Sequence, residues 1–320
     1  MRSTVLEASI QNMQIISGIT DIQLNTPTVV ALGKFDGVHI GHRLLINDIV
    51  SKAKEGYKSV IFTFNPSPES LFAGKALPEL TTVNEKRLIF DRLGVDILIE
   101  FPMTHETAAM SAGDFIRQYL VKRMRVKHIF AGTDLSFGYR GLGNAELIES
   151  LSPEGGYQCH IIDKVLIDGE PVSSTRIRDA VRDGDMEKAS VMLGAPYRLT
   201  GTVSHGRRLG HTIGMPTANL IIPPDKVTGP RGVYLSRVYT TSGVYDSISN
   251  VGVKPTVMDD ELLCCESYIY DFDRDIYGEY IEVELLKFIR KEMKFASVDE
   301  LKAQMEHDIA SGQSFREALD

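Results

Sequence analysis

Few cysteines, no long apolar run, no excess of positive charge and neither of the usual glycine-rich phosphate loops: each shortage in this sequence excludes a class of protein. The three cysteines, Cys159, Cys264 and Cys265, form no Cys-x-x-Cys pair. An odd number of thiols, two of them adjacent, suits a reducing cytoplasm better than a disulfide scaffold or a zinc site. No apolar stretch approaches the roughly 20 residues of a membrane-spanning helix. The first residues, which include Arg2 and Glu7, lack the apolar segment of a secretory signal. Lys and Arg number 35 against 43 Asp and Glu, a net charge of −8. That balance argues against a broad grip on nucleic acid, yet it leaves room for a local basic pocket around a phosphorylated small molecule. There is no Gly-x-x-x-x-Gly-Lys-Ser/Thr, and no Gly-x-Gly-x-x-Gly follows the first expected strand, so the two commonest nucleotide loops are missing. Repeats and low-complexity segments are missing too. What remains is an ordinary globular composition, 43% hydrophobic and 24% charged over 320 residues, enough for two domains.

The first half alternates apolar runs with amphipathic stretches. Runs at Thr28–Leu32, Ser59–Phe64, Val95–Phe101, Lys127–Ala131 and His160–Val165 are separated by helix-like segments near 41–55, 84–94, 111–123 and 143–151. This alternation predicts a parallel sheet covered on both faces. Ligands of such sheets bind at the carboxyl ends of the strands, so the loops after Leu32, Phe64, Ala131 and Val165 are where chemistry is expected. The texture changes near residue 185. Asp185–Leu193 reads as a short helix, broken by Gly194-Ala195-Pro196. Strand-like runs follow at Tyr197–Val203, Gly232–Tyr239, Val244–Val251, Ser267–Tyr270 and Tyr280–Phe288, where Glu282 and Glu284 alternate with Ile281, Val283 and Leu285. Ser297 and Glu300 open a last helix through Leu301, Met305 and Ile309 as a capping box. The expected architecture is an α/β chain. Residues 1–185 are expected to form a Rossmann-like parallel-sheet domain, and residues 186–320 an antiparallel β-barrel with a C-terminal helix.

Directly after the first expected strand stands Gly33-Lys34-Phe35-Asp36-Gly37-Val38-His39-Ile40-Gly41-His42. Its glycines let the backbone turn sharply and approach a ligand. Two imidazoles three residues apart at a helix start share a face, and free helix N–H groups there attract polyphosphate. A pair of histidines by itself is more often a helix cap; the strand-to-helix context favours the functional reading. A second phosphate candidate, Ser173-Ser174-Thr175-Arg176-Ile177-Arg178, combines hydroxyls and guanidinium groups at a helix start, although Ser-Ser-Thr also serves as an ordinary N-cap. Together these segments resemble the adenylyltransferase module of bacterial bifunctional riboflavin kinase/FAD synthetases. Phe62-Thr63-Phe64-Asn65-Pro66, Ser111–Ile116 and Gly132–Gly138 add to the likeness. The resemblance implies that His39 and His42 are catalytic and hold the ATP phosphates, with Gly33, Phe35, Gly37 and Gly41 also binding ATP. It places Ser174, Thr175 and Arg178 near the triphosphate and Phe64 and Asp134 near FMN or the nucleotide. Lys34 stands where the family often has Asn, Ser67 where it usually has His, and Pro171 where some members carry Arg.

Downstream, Gly201–Gly210 precedes Gly214-Met215-Pro216-Thr217-Ala218-Asn219. A glycine-rich arch followed by a hydroxyl and an amide can cradle phosphates and offer hard oxygen ligands to Mg²⁺. On its own Pro-Thr-Ala-Asn reads more readily as a turn with a capping Thr. The series that continues through Gly232-Val233-Tyr234, Asn250-Val251-Gly252, Glu266-Ser267-Tyr268 and Phe288-Ile289-Arg290-x-Glu292-x-Lys294-Phe295 is similar to the riboflavin kinase module of the same family. That likeness implies Thr217 and Asn219 as ligands of Mg²⁺ and the ATP phosphates, with Gly201, Gly206 and Gly214 in the phosphate arch. It makes Glu266 the general base toward the riboflavin 5′-hydroxyl and puts Phe288, Arg290 and Phe295 near the flavin ring. The implied substrates and products are ATP, riboflavin, FMN and FAD, with Mg²⁺ as cofactor and neither nucleic acid nor membrane as partner. The competing readings are an enzyme with one live site, a flavin-binding regulatory protein, and a synthetase-like protein suggested by His-Ile-Gly-His alone. Oligomeric state stays open.

Overall fold

The computed structural model describes residues 10–204, 215–255 and 261–317. The chain folds into two compact units, Met1–Ser174 and Thr175–Asp320.

The first unit is built on strands β1 (Gln14–Ser17), β2 (Thr28–Leu32), β3 (Lys58–Asn65), β4 (Ile97–Pro102), β5 (Val126–Gly132) and β6 (Gln158–Ile162). They form one sheet in the order β1-β4-β3-β2-β5-β6, and every pair is parallel. All five residues of β2 are buried because both faces are covered, as parallel sheets require. Val30 and Leu32 join Phe62, Ile99 and Phe115 on one side. Val29 and Ala31 join Ile61, Leu98 and the helix residues Leu45, Ile46 and Ile49 on the other. The sequence order runs outward from β2 through β3 to β4, then resumes on the opposite flank of β2 with β5. That reversal makes a crevice at the carboxyl ends of β2 and β5.

Helices α1 (Ile40–Ala53), α2 (Pro68–Ala73), α3 (Val83–Arg92) and α4 (Ala145–Gly155) connect the strands. Thr82 and Glu85 close a reciprocal capping box at the start of α3. The expected helix over 111–123 opens as anticipated, with the Ser111 hydroxyl accepting from the Asp114 N–H, but from Phe115 to Arg123 its hydrogen bonds are π-helical. The β1 strand, not anticipated from the sequence, is held from outside: the Asp91 carboxylate accepts the N–H groups of Gln11, Asn12 and Met13. Four residues carry too little periodicity to announce that. The last apolar run ends as strand at Ile162, and a hairpin of β7 (Leu166–Ile167) and β8 (Glu170–Pro171) precedes α5 (Ser174–Asp183).

The second unit holds most of α5, then α6 (Met186–Leu193) and strands β9 (Tyr197–Thr202), β10 (Ala218–Ile221), β11 (Gly232–Thr240), β12 (Gly243–Pro255), β13 (Glu261–Ile269) and β14 (Tyr280–Lys291). They order as β10-β13-β12-β11-β14-β9, antiparallel throughout. A bridge from Ser204 to Asn219 brings the two edges together, so the sheet is a nearly closed barrel. Inside run buried hydroxyls: Ser236 contacts Ser247 and Ser249, and Ser249 contacts Ser267, each at 2.7 Å. Buried hydroxyls at this spacing satisfy one another. Helix α7 (Val298–Glu317) starts as expected with the Glu300 N–H on the Ser297 hydroxyl, although the Glu300 carboxylate reaches the Ala296 N–H. It packs Ile309 onto Val233, Leu235 and Ile248.

One expectation changes here. Pro-Thr-Ala-Asn is no capped turn, because Ala218–Ile221 is a strand paired to β13. The polar positions of the alternation on β14, Glu282 and Glu284, are buried. They are 8% and 2% exposed, and Arg198 bridges them with Nη1 to Glu282 at 2.8 Å and Nε to Glu284 at 3.0 Å. The alternation is real, but an arginine covers its polar side.

Candidate active sites

The glycine turn lies at the carboxyl end of β2, beside the crevice. It is held by distant residues. The Asp36 carboxylate accepts the N–H groups of Leu80 and Thr81 at 2.7 and 3.2 Å, and the Gly37 N–H donates to the Thr81 hydroxyl at 3.0 Å. The sequence anticipated sharp turning at the glycines, and Gly37 does take φ +82°; Phe35 and Val38 also adopt positive φ, at 53° and 42°. For a β-branched residue that is an outlier costing about 1–3 kcal/mol. Both side chains are fully buried, which contributes about 1.5–3 kcal/mol each and offsets the strain.

His39 is the N-cap of α1, and its Nδ1 accepts the His42 N–H at 3.3 Å. With Nδ1 accepting, a neutral ring carries its proton on Nε2. The two imidazoles are stacked, centroids 3.6 Å apart, and Phe35 meets His42 edge-on. A Cβ at Gly41 would sit 3.3 Å from the His39 ring, so the glycine leaves that ring its place. Burial pushes His39 down to about 4, partly countered by the Asp134 carboxylate. Burial likewise holds His42 well below its ordinary value, helped by His39 and Lys86. Both rings are therefore neutral N–H donors at pH 7. Among the described residues, the His42 Nδ1 is the one buried side-chain nitrogen or oxygen with no hydrogen-bond partner. Such an atom costs about 1–3 kcal/mol unless something fills its valence.

The structure brings Ser174 to this turn from far away in sequence: its hydroxyl donates to the Asp36 carbonyl at 2.9 Å. Thr175 and Arg178 follow on α5. Asp134, after β5, pairs with Lys164 at 3.0 Å. Phe64 meets Phe62 and Phe101 edge-on at 5.6 and 6.4 Å, half-buried at the end of β3. The departures have local roles: Lys34 pairs with Glu69, Ser67 caps α2, and Pro171 lies in the hairpin. Asp36, Thr81 and Lys86 were not legible as site residues. Lys86 is buried in a pair with Glu79 at 2.8 Å, and no local pattern announces a lysine that turns inward.

In the barrel, the Asn219 amide nitrogen donates to the Thr217 carbonyl at 3.2 Å and lies 3.5 Å from its hydroxyl. The Asn219 oxygen and the Thr217 hydroxyl are hard donors of the kind Mg²⁺ prefers; this donor set fits the ion. Asn219 stands directly opposite Glu266 across β10 and β13. Gly201 lies on β9, its would-be Cβ 3.6 Å from Leu220, whereas Gly206 and Gly214 fall outside the described residues. The Arg290 guanidinium, expected near the flavin, holds the buried Asp308 of α7 through Nε at 2.9 Å and Nη2 at 2.5 Å. Phe295 follows β14, half-buried. Cys265 is no nucleophile, since burial pushes its thiol up to about 11.

The histidine pair supports a pH prediction. An unfolded His titrates near 6.5 and His39 near 4, so the unfolded chain binds more protons between those values. Stability is fully retained above pH 6.5 and falls as pH drops toward 4. Thermal melts from pH 7.5 to 4.5 should show this decline, shallower in His39→Gln; an unchanged slope would remove His39 as its source.

A parallel α/β unit with a histidine-bearing turn at its switch point, followed in the chain by a barrel that offers hydroxyl, amide and carboxylate oxygens, defines a two-domain nucleotide-dependent transferase. The chain matches the FAD synthetase family over residues 21–176 and the riboflavin kinase family over residues 193–315. It is 35% identical to the bifunctional riboflavin kinase/FMN adenylyltransferase of Listeria monocytogenes, over 94% of this chain and 96% of that protein. It is 34% identical to the Haemophilus influenzae protein of the same name, over 95% and 99%. A crystal structure described as a macrolide-efflux protein from Streptococcus pneumoniae superposes with a TM-score of 0.80 at 33% identity, over 94% and 99%. None of the described helices here is long and apolar enough to cross a membrane. The chain belongs to the bifunctional riboflavin kinase/FMN adenylyltransferase family.

Proposed function

We propose that the chain phosphorylates riboflavin to FMN on the barrel unit and adenylylates FMN to FAD on the parallel-sheet unit. The observation that carries this reading is that the two family matches follow one another along the chain and coincide with its two compact units, apart from the helices between them.

In the kinase step Glu266 takes the proton of the riboflavin 5′-hydroxyl. The oxygen bonds to the γ-phosphorus of ATP, the bond to the β–γ bridging oxygen breaks, and ADP leaves. Thr217 and Asn219 would hold Mg²⁺, which when bound supplies positive charge against the phosphates. In the adenylyl step an FMN phosphate oxygen attacks the α-phosphorus of ATP in line, and pyrophosphate leaves. His39 and His42 act as neutral N–H donors to the phosphate oxygens, a role that needs no imidazolium. Ser174, Thr175 and Arg178 take the triphosphate; Phe64 and Asp134 border the flavin or nucleotide, and Phe288 and Phe295 the riboflavin ring. Arg290 contributes there by fixing α7. The free thiols support a cytoplasmic setting.

Purified chain given riboflavin, ATP and Mg²⁺ should form FMN before FAD. We place the functional division where α5 meets α6. Since a Cβ at Gly229 would fall 2.9 Å from the Val181 carbonyl oxygen, α5 packs on the barrel unit. A fragment of residues 175–320 should therefore make FMN and stop, and be more stable than residues 186–320. FAD from either fragment, or no FMN from the folded longer one, would refute the assignment.

A further inference from the structure

Asn250-Val251-Gly252 is a motif of the family resemblance to which the two reactions give no task. The sheet register places it. Asn219 pairs with Glu266 across β10 and β13, and Glu266 pairs with Asn250 across β13 and β12. The row continues from Asn250 to Val233 and from Val233 to Arg290. Directly opposed residues of antiparallel strands point to the same face with Cβ atoms about 4.5–5.5 Å apart. Cys265 and Ser267, on either side of Glu266, are buried toward the hydroxyls of the barrel interior, so the row lies on the outer face. Glu266 thus has an asparagine on each flank.

The two asparagines are not equivalent. The amide nitrogen of Asn219 is turned to Thr217, so that residue presents its oxygen, a poor neighbour for a carboxylate. The flank that can offer amide N–H groups is Asn250. Its nitrogen lies over Gly252, where a Cβ would fall 3.2 Å away and would collide with the Glu292 carboxylate. The charged group on this side is Glu292, Glu266 stands opposite Asn250 in the register, and the Asn250 amide has two N–H groups to donate. A hydrogen bond from a neutral donor keeps a carboxylate ionised while fixing which oxygen faces outward.

We propose that Asn250 is a positioning residue for Glu266 in riboflavin phosphorylation, holding the carboxylate by an amide N–H so that one oxygen meets the 5′-hydroxyl. This rests on Glu266 being the base. Misplacing a catalytic group by about 1 Å costs up to about 10²-fold. Steady-state kinetics of the full chain should show Asn250→Ala lowering kcat for FMN formation by about 10- to 100-fold, with KM for ATP and riboflavin within about three-fold. FAD formation from supplied FMN should not change. Asn250→Asp, which keeps the shape and replaces the donor by an acceptor, should lose at least as much; Asn250→Gln, which keeps the amide, should recover part of the loss. In a Glu266→Gln background Asn250→Ala should cost less than about two-fold, because a residue acting through Glu266 has nothing left to position. The same loss in that background, or activity of Asn250→Asp within about three-fold of the parent, overturns the inference while leaving the base intact. Unchanged FMN formation in Glu266→Gln alone overturns the base reading, and this inference with it.

Discussion

Glu266→Gln should lower FMN formation by at least about 10²-fold, the smaller end of what a general base contributes, while FAD formation from supplied FMN stays within a few-fold. The substitution keeps size and most hydrogen bonds and removes the basic oxygen. Glu266 stands in mid-strand on β13, opposite Asn219, so its backbone position does not depend on its charge and the fold should tolerate the change. KM for ATP should move little, since phosphate contacts reside elsewhere. Separating riboflavin, FMN and FAD over time reads both activities in one sample. Equal loss of both, with the melting curve unchanged, would mean that the two constellations serve one site.

His42→Ala should do the reverse. It removes a ring stacked on His39 at 3.6 Å and the N–H donor it would offer to charge developing on the ATP phosphates. Loss of one such donor typically costs about 10²–10³-fold in kcat. FAD formation should fall by that order while FMN formation persists. Because the ring is neutral when free, His42→Asn, which keeps a neutral N–H donor, should retain more activity than His42→Ala. Retention by Ala but not by Asn would refute donation as the role. The strained Phe35 and Val38 belong to the same turn, as does the buried His42 Nδ1, which has no hydrogen-bond partner.

The departures Lys34, Ser67 and Pro171 cluster in the first half of the chain, which favoured the kinase if one site alone were live. The structure gives each a local role at a surface pair, a helix cap or a hairpin, and none disturbs the histidine pair or the contact of Ser174 with Asp36.

Local pattern was enough for the elements whose signal is carried by consecutive residues. The buried runs of β2, β3 and β5 are apolar throughout because both faces of a parallel sheet are covered. The His-x-Gly-His turn is dense enough to stand out, and the change to two-fold alternation after Pro196 marks the barrel. What the sequence could not decide is whatever depends on a partner distant in the chain. The short strands β1 and β10 exist because β4 and β13 pair with them, not through any periodicity of their own. Glu282 and Glu284 are buried because Arg198 reaches them across strands. The inward turn of Lys86 and the hold of Arg290 on Asp308 follow from side chains meeting in space. Above all, Asn219, Glu266 and Asn250 share one row only through strand register. A shift of one residue would send each to the opposite face, and register is set by the closure of the whole barrel.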